Sequence, residues 1–131
     1  MITSIPFVQT LGIDADLTLT PGPHLRNHLG SLHAGALFTL AESASGQFLL
    51  ETFPEHKKEA IPLLRRSQIT YLRPATETIH TTVEIMEDEK VRFTDRLTRK
   101  KRASVTLSVS LHTHNEEIVA KADFEWFVTL G

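Results

Sequence analysis

The segment from about Ala34 to Glu51 constrains this chain more than any other stretch. Leu37, Phe38, Ala41, Ala44 and Phe48 recur at helical spacing, and Leu40 and Leu49 widen the stripe until most of the surface is apolar. Only Glu42, Gln47 and Glu51 carry a polar group beyond a hydroxyl. A helix that is apolar nearly all round is a buried helix. Its small residues (Gly35, Ala36, Ala41, Ala44, Gly46) allow a sheet or a second helix to approach closely. Pro54 limits its extension.

The partner for such a helix is written in the strands around it. Ile13, Ala15, Leu17 and Leu19 alternate with Asp14, Asp16, Thr18 and Thr20, the period of a half-buried strand, closed by Pro21-Gly22-Pro23. Residues 5–11 can form one short helical turn ahead of it. After the helix, Ile69 and Tyr71 alternate with Gln68 and Thr70 up to Arg73-Pro74. Ile79, Val83 and Ile85 share one face of the next strand. Val105, Leu107, Val109 and Leu111 form another row, and Ile118, Ala120, Ala122, Phe124, Trp126 and Val128 form the last. Consecutive strands with short connections predict an antiparallel sheet. One buried helix wrapped by that sheet is an α+β arrangement. Residues 88–102 interrupt the meander with seven of the chain's 14 basic residues, and Val91, Phe93 and Leu97 lack strand alternation, which predicts a short helix or excursion.

The 131 residues suit one domain, residues 1–131, with no internal repeat or linker long enough to divide it. A net charge of −2 gives no sign of a nucleic-acid partner. The chain has no cysteine, which excludes disulfides, a thiol nucleophile and thiolate metal sites. No apolar run approaches the ~20 residues of a membrane span, and MITSIPFVQTLG does not read as a signal peptide. The expectation is a cytoplasmic protein.

The chemistry concentrates at the start of the helix. His33-Ala34-Gly35 sits where the first N–H groups have no intrahelical acceptor and the macrodipole is positive. Such groups can donate to a developing oxyanion. Glu42 follows His33 by nine residues and lies among Phe38, Ala41 and Leu49. A carboxylate there is costly unless paired or functional, and desolvation raises its pKa. Ala34 and Glu42 are roughly 12 Å apart along the axis. One helix therefore cannot place both on the same carbonyl, and a two-fold dimer with antiparallel helices would do so twice. His112-x-His114 offers two imidazoles on one strand face but no third ligand at recognisable spacing, so it reads as a polar strand end.

Asn27, Gly30, His33, Ala34 and Gly35, then Leu40-Ala41-Glu42, resemble the signature of hot-dog-fold acyl-CoA thioesterases of the phenylacetic-acid-pathway and 4-hydroxybenzoyl-CoA types. Those carry His-Gly-Gly with an Asp or Glu nine positions after the His. Tyr71-Leu72-Arg73-Pro74-Ala75 is similar to the end of the strand that follows their central helix. The resemblance implies an antiparallel sheet wrapped around one long central helix, working as a homodimer or homotetramer without cofactor or metal. It also implies roles: the Ala34 N–H, with Gly35, polarises a thioester carbonyl. Glu42 of the partner chain attacks it or activates water, Asn27 orients the carbonyl or the water, and His33 orients the site locally. Three departures stand out. Ala34 replaces the middle Gly, Gly46 stands where several relatives have Ser or Thr, and the excursion at 88–102 is longer than usual.

The expected activity is hydrolysis of an acyl-CoA thioester. Arg73, Arg99, Lys100 and Arg102 are candidates for the CoA phosphates, with Arg65 and Arg66 competing. A non-catalytic protein that binds acyl-CoA or another apolar ligand is the alternative, supported by Gly46. A hydratase or dehydratase is a weaker reading, since no Asp–His pair stands at the helix.

Overall fold

The computed structural model describes residues 2–53 and 59–131. Pro54, read above as the limit of the helix, lies outside the described residues. Helix α1 (Pro6–Leu11) starts on a proline and ends at Gly12, whose φ of 76° gives the left-handed cap. The central helix α2 (Ala34–Thr52) follows the 3-10 turn Pro23–Leu25, the second of two after Ile2–Ser4. Strands β1 (Ala60–Tyr71) and β2 (His80–Glu84) precede helix α3 (Glu87–Lys100), and β3 (Arg102–His112) and β4 (Ile118–Leu130) complete the chain.

The four strands form one antiparallel sheet in the order β1-β4-β3-β2. The expected meander is therefore incomplete: β1 and β2, consecutive in the chain, occupy opposite edges. The buried rows of β3 (Ala103, Val105, Leu107, Val109, Leu111) and β4 (Ala120, Ala122, Phe124, Trp126, Val128) form a core with Leu37, Leu40, Ala41 and Ala44 of α2. This is the α+β hot-dog arrangement that the resemblance implies. Gly46 allows close packing, because a Cβ there would sit 3.2 Å from Ile2 Cδ1 and 3.5 Å from the Trp126 ring.

Residues 13–19 are not a strand. Asp14 and Thr18 close a turn, Leu17 adopts φ 58°, and only Leu19 pairs, with Ile79. Of the expected apolar row Ile13, Leu17 and Leu19 are buried, but Ala15 is exposed and Thr18 of the polar row is buried, so the alternation does not hold. The polar half bends the chain instead, because the Thr18 hydroxyl donates to Asp16 Oδ1 at 2.8 Å. Short polar side chains compete in this way with ladder bonds.

The excursion at 88–102 is a full helix. α3 buries Phe93 and Leu97, one turn apart, and Phe93 meets Phe53 edge-to-face at 4.8 Å. Such a ring pair contributes about 0.5–1.5 kcal/mol beyond burial. Where β2 ends, Glu89 of α3 accepts the N–H of Thr106 on β3 at 2.9 Å. Among the described residues no helix is long and apolar enough to cross a membrane.

Candidate active site

The loop before α2 is built on Asn27. Its Oδ1 accepts the N–H groups of Leu29 at 2.9 Å and Ser31 at 3.1 Å, and its Nδ2 donates to Ser31 Oγ at 3.0 Å. Gly30 supplies the left-handed φ of 80° that the turn needs. The expected orienting amide is thus committed largely to its own loop, with one amide N–H left without a partner among the described residues.

His33 is the N-cap of α2, and its Nδ1 accepts the Gly35 N–H at 2.8 Å. An accepting Nδ1 carries no proton, so the neutral ring has its proton on Nε2. Gly35 leaves room for the ring: a Cβ there would lie 3.1 Å from His33 Nδ1. The two expected oxyanion donors therefore differ. Gly35 N–H is already engaged, whereas Ala34 N–H has no hydrogen-bond partner among the described residues.

Glu42 is half-buried and lines a cavity of about 710 Å³ with His33, Gly35, Phe38 and Thr39 of the same helix region. Burial alone pushes its carboxyl above the ordinary Glu range, and no ion pair reaches it among the described residues. Neither neighbouring serine is free to hold it. Ser43 Oγ donates to the Thr39 carbonyl at 2.7 Å, and Ser45 Oγ donates to the Glu42 carbonyl at 2.8 Å.

The cavity has walls that the sequence did not announce. Phe7 and Leu11 come from α1, His24 and Leu25 from the 3-10 turn, and Tyr71 from the end of β1. The Tyr71 hydroxyl donates to the Ala34 carbonyl at 3.1 Å, and partial burial raises its pKa above the ordinary Tyr value. Thr39 was within reach of pattern reasoning, since it shares a helix face with Gly35 and Glu42. Phe7, His24 and Tyr71 are distant in sequence and carry no local signal. Ala34 opens instead on a second groove of about 330 Å³, lined by Asn27, Leu29, Leu72, Arg73 and Pro74, and Tyr71 borders both spaces. Within one chain, then, Ala34 and Glu42 line different spaces, in keeping with their separation along the helix.

The basic candidates divide. Arg73 lies beside the second groove, paired with Glu117 at 2.9 Å. Arg99 and Lys100 close α3, where cations complement the helix dipole, and Arg99 also pairs with Asp95 at 2.8 Å. Arg102 opens β3 opposite Thr129, at the Ala60 end of the sheet. Arg73 follows the other end of β1, roughly 36 Å away at ~3.3 Å per strand residue. One chain cannot bring both sets to one ligand. Arg65 stacks over the Phe127 ring at 4.9 Å, and Arg66 is exposed. His112 has both ring nitrogens engaged, with Thr82 Oγ1 at 2.9 Å and the Thr113 carbonyl at 3.2 Å.

A family model described as a domain of unknown function (DUF4442) matches residues 3–128, almost the whole of this architecture. The chain belongs to the DUF4442 family. No curated protein matches this DUF4442 chain. Solved structures do. A Pseudomonas aeruginosa protein of unknown function, described as a probable thioesterase, has a TM-score of 0.77 at 25% identity, over 98% of this chain and 89% of that one. A Bacillus halodurans protein solved with CoA has a TM-score of 0.70 at 21% identity, over 90% and 74% of the two chains. A Streptococcus mutans protein bound to acetyl CoA has 0.65 at 22%, over 86% and 78%. The DUF4442 chain thus shares its fold with proteins solved with CoA or acetyl CoA.

Proposed function

We propose that the chain, as a hot-dog domain over residues 1–131, hydrolyses an acyl-CoA thioester at a site completed by a second copy of itself. The observation that carries this reading is Glu42: a half-buried carboxylate with no counter-ion among the described residues, in a largely apolar cavity that begins at a helix N-terminus. Its raised pKa suits a group that must take and return a proton.

In this reading the thioester carbonyl lies against the Ala34 N–H of one copy and faces Glu42 of the other. As a base, Glu42 takes a proton from water while the water oxygen bonds to the carbonyl carbon. The charge gathers on the carbonyl oxygen, opposite Ala34. The C–S bond then breaks, the proton passes from Glu42 to the departing thiolate, and acid and thiol leave. As a nucleophile, Glu42 would form an anhydride as the thiolate departs, and water would cleave it. The spare amide N–H of Asn27 orients the carbonyl or the water, and His33 holds the helix start.

The second copy is suggested by β1, a 12-residue strand on the edge of the sheet. Long open edges invite pairing. Two-fold pairing of the β1 edges runs the two α2 helices antiparallel. It also sets the partner's corner with Arg99, Lys100 and Arg102 about three strand spacings, ~14 Å, from the Arg73 groove. The two sets of phosphate candidates then face one ligand. A cytoplasmic setting is part of the same proposal.

Ligand binding without turnover is favoured by one observation: Ser43, Ser45 and Gly46 offer Glu42 no hydroxyl. Free-thiol release from aromatic and aliphatic acyl-CoAs, run beside Glu42→Ala, separates the two readings. Turnover lost in the variant supports hydrolysis. Stoichiometric binding with no thiol released supports the binding protein.

A further inference from the structure

We infer that helix α1 sets the length of acyl group that the Glu42 cavity accepts, with Phe7 as the specificity-determining wall and an unbranched aliphatic chain as the group accepted. This rests on the thioesterase reading of the same cavity. α1 is held from one side, where Val8 is buried, and by its proline start and left-handed Gly12 cap. Phe7 and Leu11, four residues apart, share a face, and both line the cavity. Phe7 is 62% exposed, an apolar ring left in water where the cavity needs a wall. Phe38, which also lines the cavity, is fixed by its edge contact with Phe124 at 5.5 Å. The ring at position 7 is therefore the adjustable side of a space whose other side is packed.

The size of that space speaks for a chain over a single ring. This cleft, open to solvent within one chain, measures about 710 Å³, against roughly 150 Å³ for a closed cavity that holds a benzene. A lone aromatic acyl group would leave most of it to water. A flexible chain lying between Phe7 and Phe38 fills it, and each methylene buried is worth about fourfold in affinity.

The test is kcat/KM for saturated acyl-CoAs from acetyl to palmitoyl with wild type, Phe7→Ala and Phe7→Trp. Melting shifts with the free carboxylates of the same lengths are measured in parallel, as a readout that needs no hydrolysis. The wild type should gain about fourfold per methylene up to an optimum. Phe7→Ala should move that optimum to longer chains and Phe7→Trp to shorter ones. An unmoved optimum in both variants, with turnover that Glu42→Ala abolishes, overturns the inference and leaves the thioesterase standing. Carboxylate preferences that follow residue 7 without any thioester turnover overturn the thioesterase and leave the inference standing. Flat responses in both assays overturn both.

Discussion

The hydroxyl of Ser45 receives the buried indole N–H of Trp126 at 2.9 Å and donates to the main-chain carbonyl of Glu42 at 2.8 Å. One side chain thereby ties strand β4 to the turn of α2 that carries the carboxylate. Ser45→Ala leaves the Trp126 N–H buried without a partner. The expected loss is about 1–3 kcal/mol, read from the midpoint of urea unfolding. A midpoint equal to wild type would show that the bond contributes nothing.

Glu42 is held above the ordinary carboxylate range by burial. Its protonated form is thus favoured in the folded state, a stabilisation complete below the unfolded pKa and lost as pH rises through the folded one. Glu42→Gln removes that dependence. The variant should unfold at higher denaturant than wild type at neutral pH, and the gap should close on acidification below the ordinary Glu pKa. A gap that widens on acidification would contradict the burial argument.

The same shift governs catalysis with the opposite sign. Hydrolysis through Glu42 needs the carboxylate, so kcat/KM should rise with pH through a pKa above that of a free Glu. The acid limb must vanish in Glu42→Gln. An acid limb that persists in residual turnover of the variant belongs to another group.

His33 caps α2 through its ring. His33→Ala should cost about 1 kcal/mol in thermal or denaturant unfolding, as loss of an N-cap does. Because the ring holds the helix start and takes no proton in the proposed reaction, turnover should fall far less than in Glu42→Ala. Equal losses in the two variants would move His33 into the chemistry.

Pairing through β1 makes stability a function of concentration, because an associated state gains by mass action. The melting temperature should rise with protein concentration, and sedimentation should show the two-fold assembly. A melting temperature independent of concentration, with a monomeric mass, would leave Ala34 and Glu42 in the separate spaces they line within one chain and sink the shared site.

The elements legible in the sequence were those with one unambiguous period. α2 is apolar nearly all round and β3 and β4 alternate over most of their length, so burial alone dictates them. β1 was visible only in its last residues. As an edge strand it buries little, and Leu63-Leu64-Arg65-Arg66 shows no alternation. Residues 13–19 misled because Asp14, Asp16 and Thr18 satisfy one another locally and fold a turn. Of the site, Glu42 and the helix start could be read from helical spacing and the chemistry of helix ends. The cavity could not, because Phe7, His24 and Tyr71 reach it from three other elements and meet only in the fold.

The two ends of α2 answer to different neighbours. Its first turn meets Tyr71 and the cavity, while Phe53, just past its last residue, packs on Phe93 of α3. The helix spans ~28 Å at 1.5 Å per residue. Changes made at the Phe53–Phe93 end should therefore add independently to changes at the Ala34 end. That separation gives an engineer one place to harden the protein and another to retune its substrate, joined by a rod that transmits neither adjustment to the other.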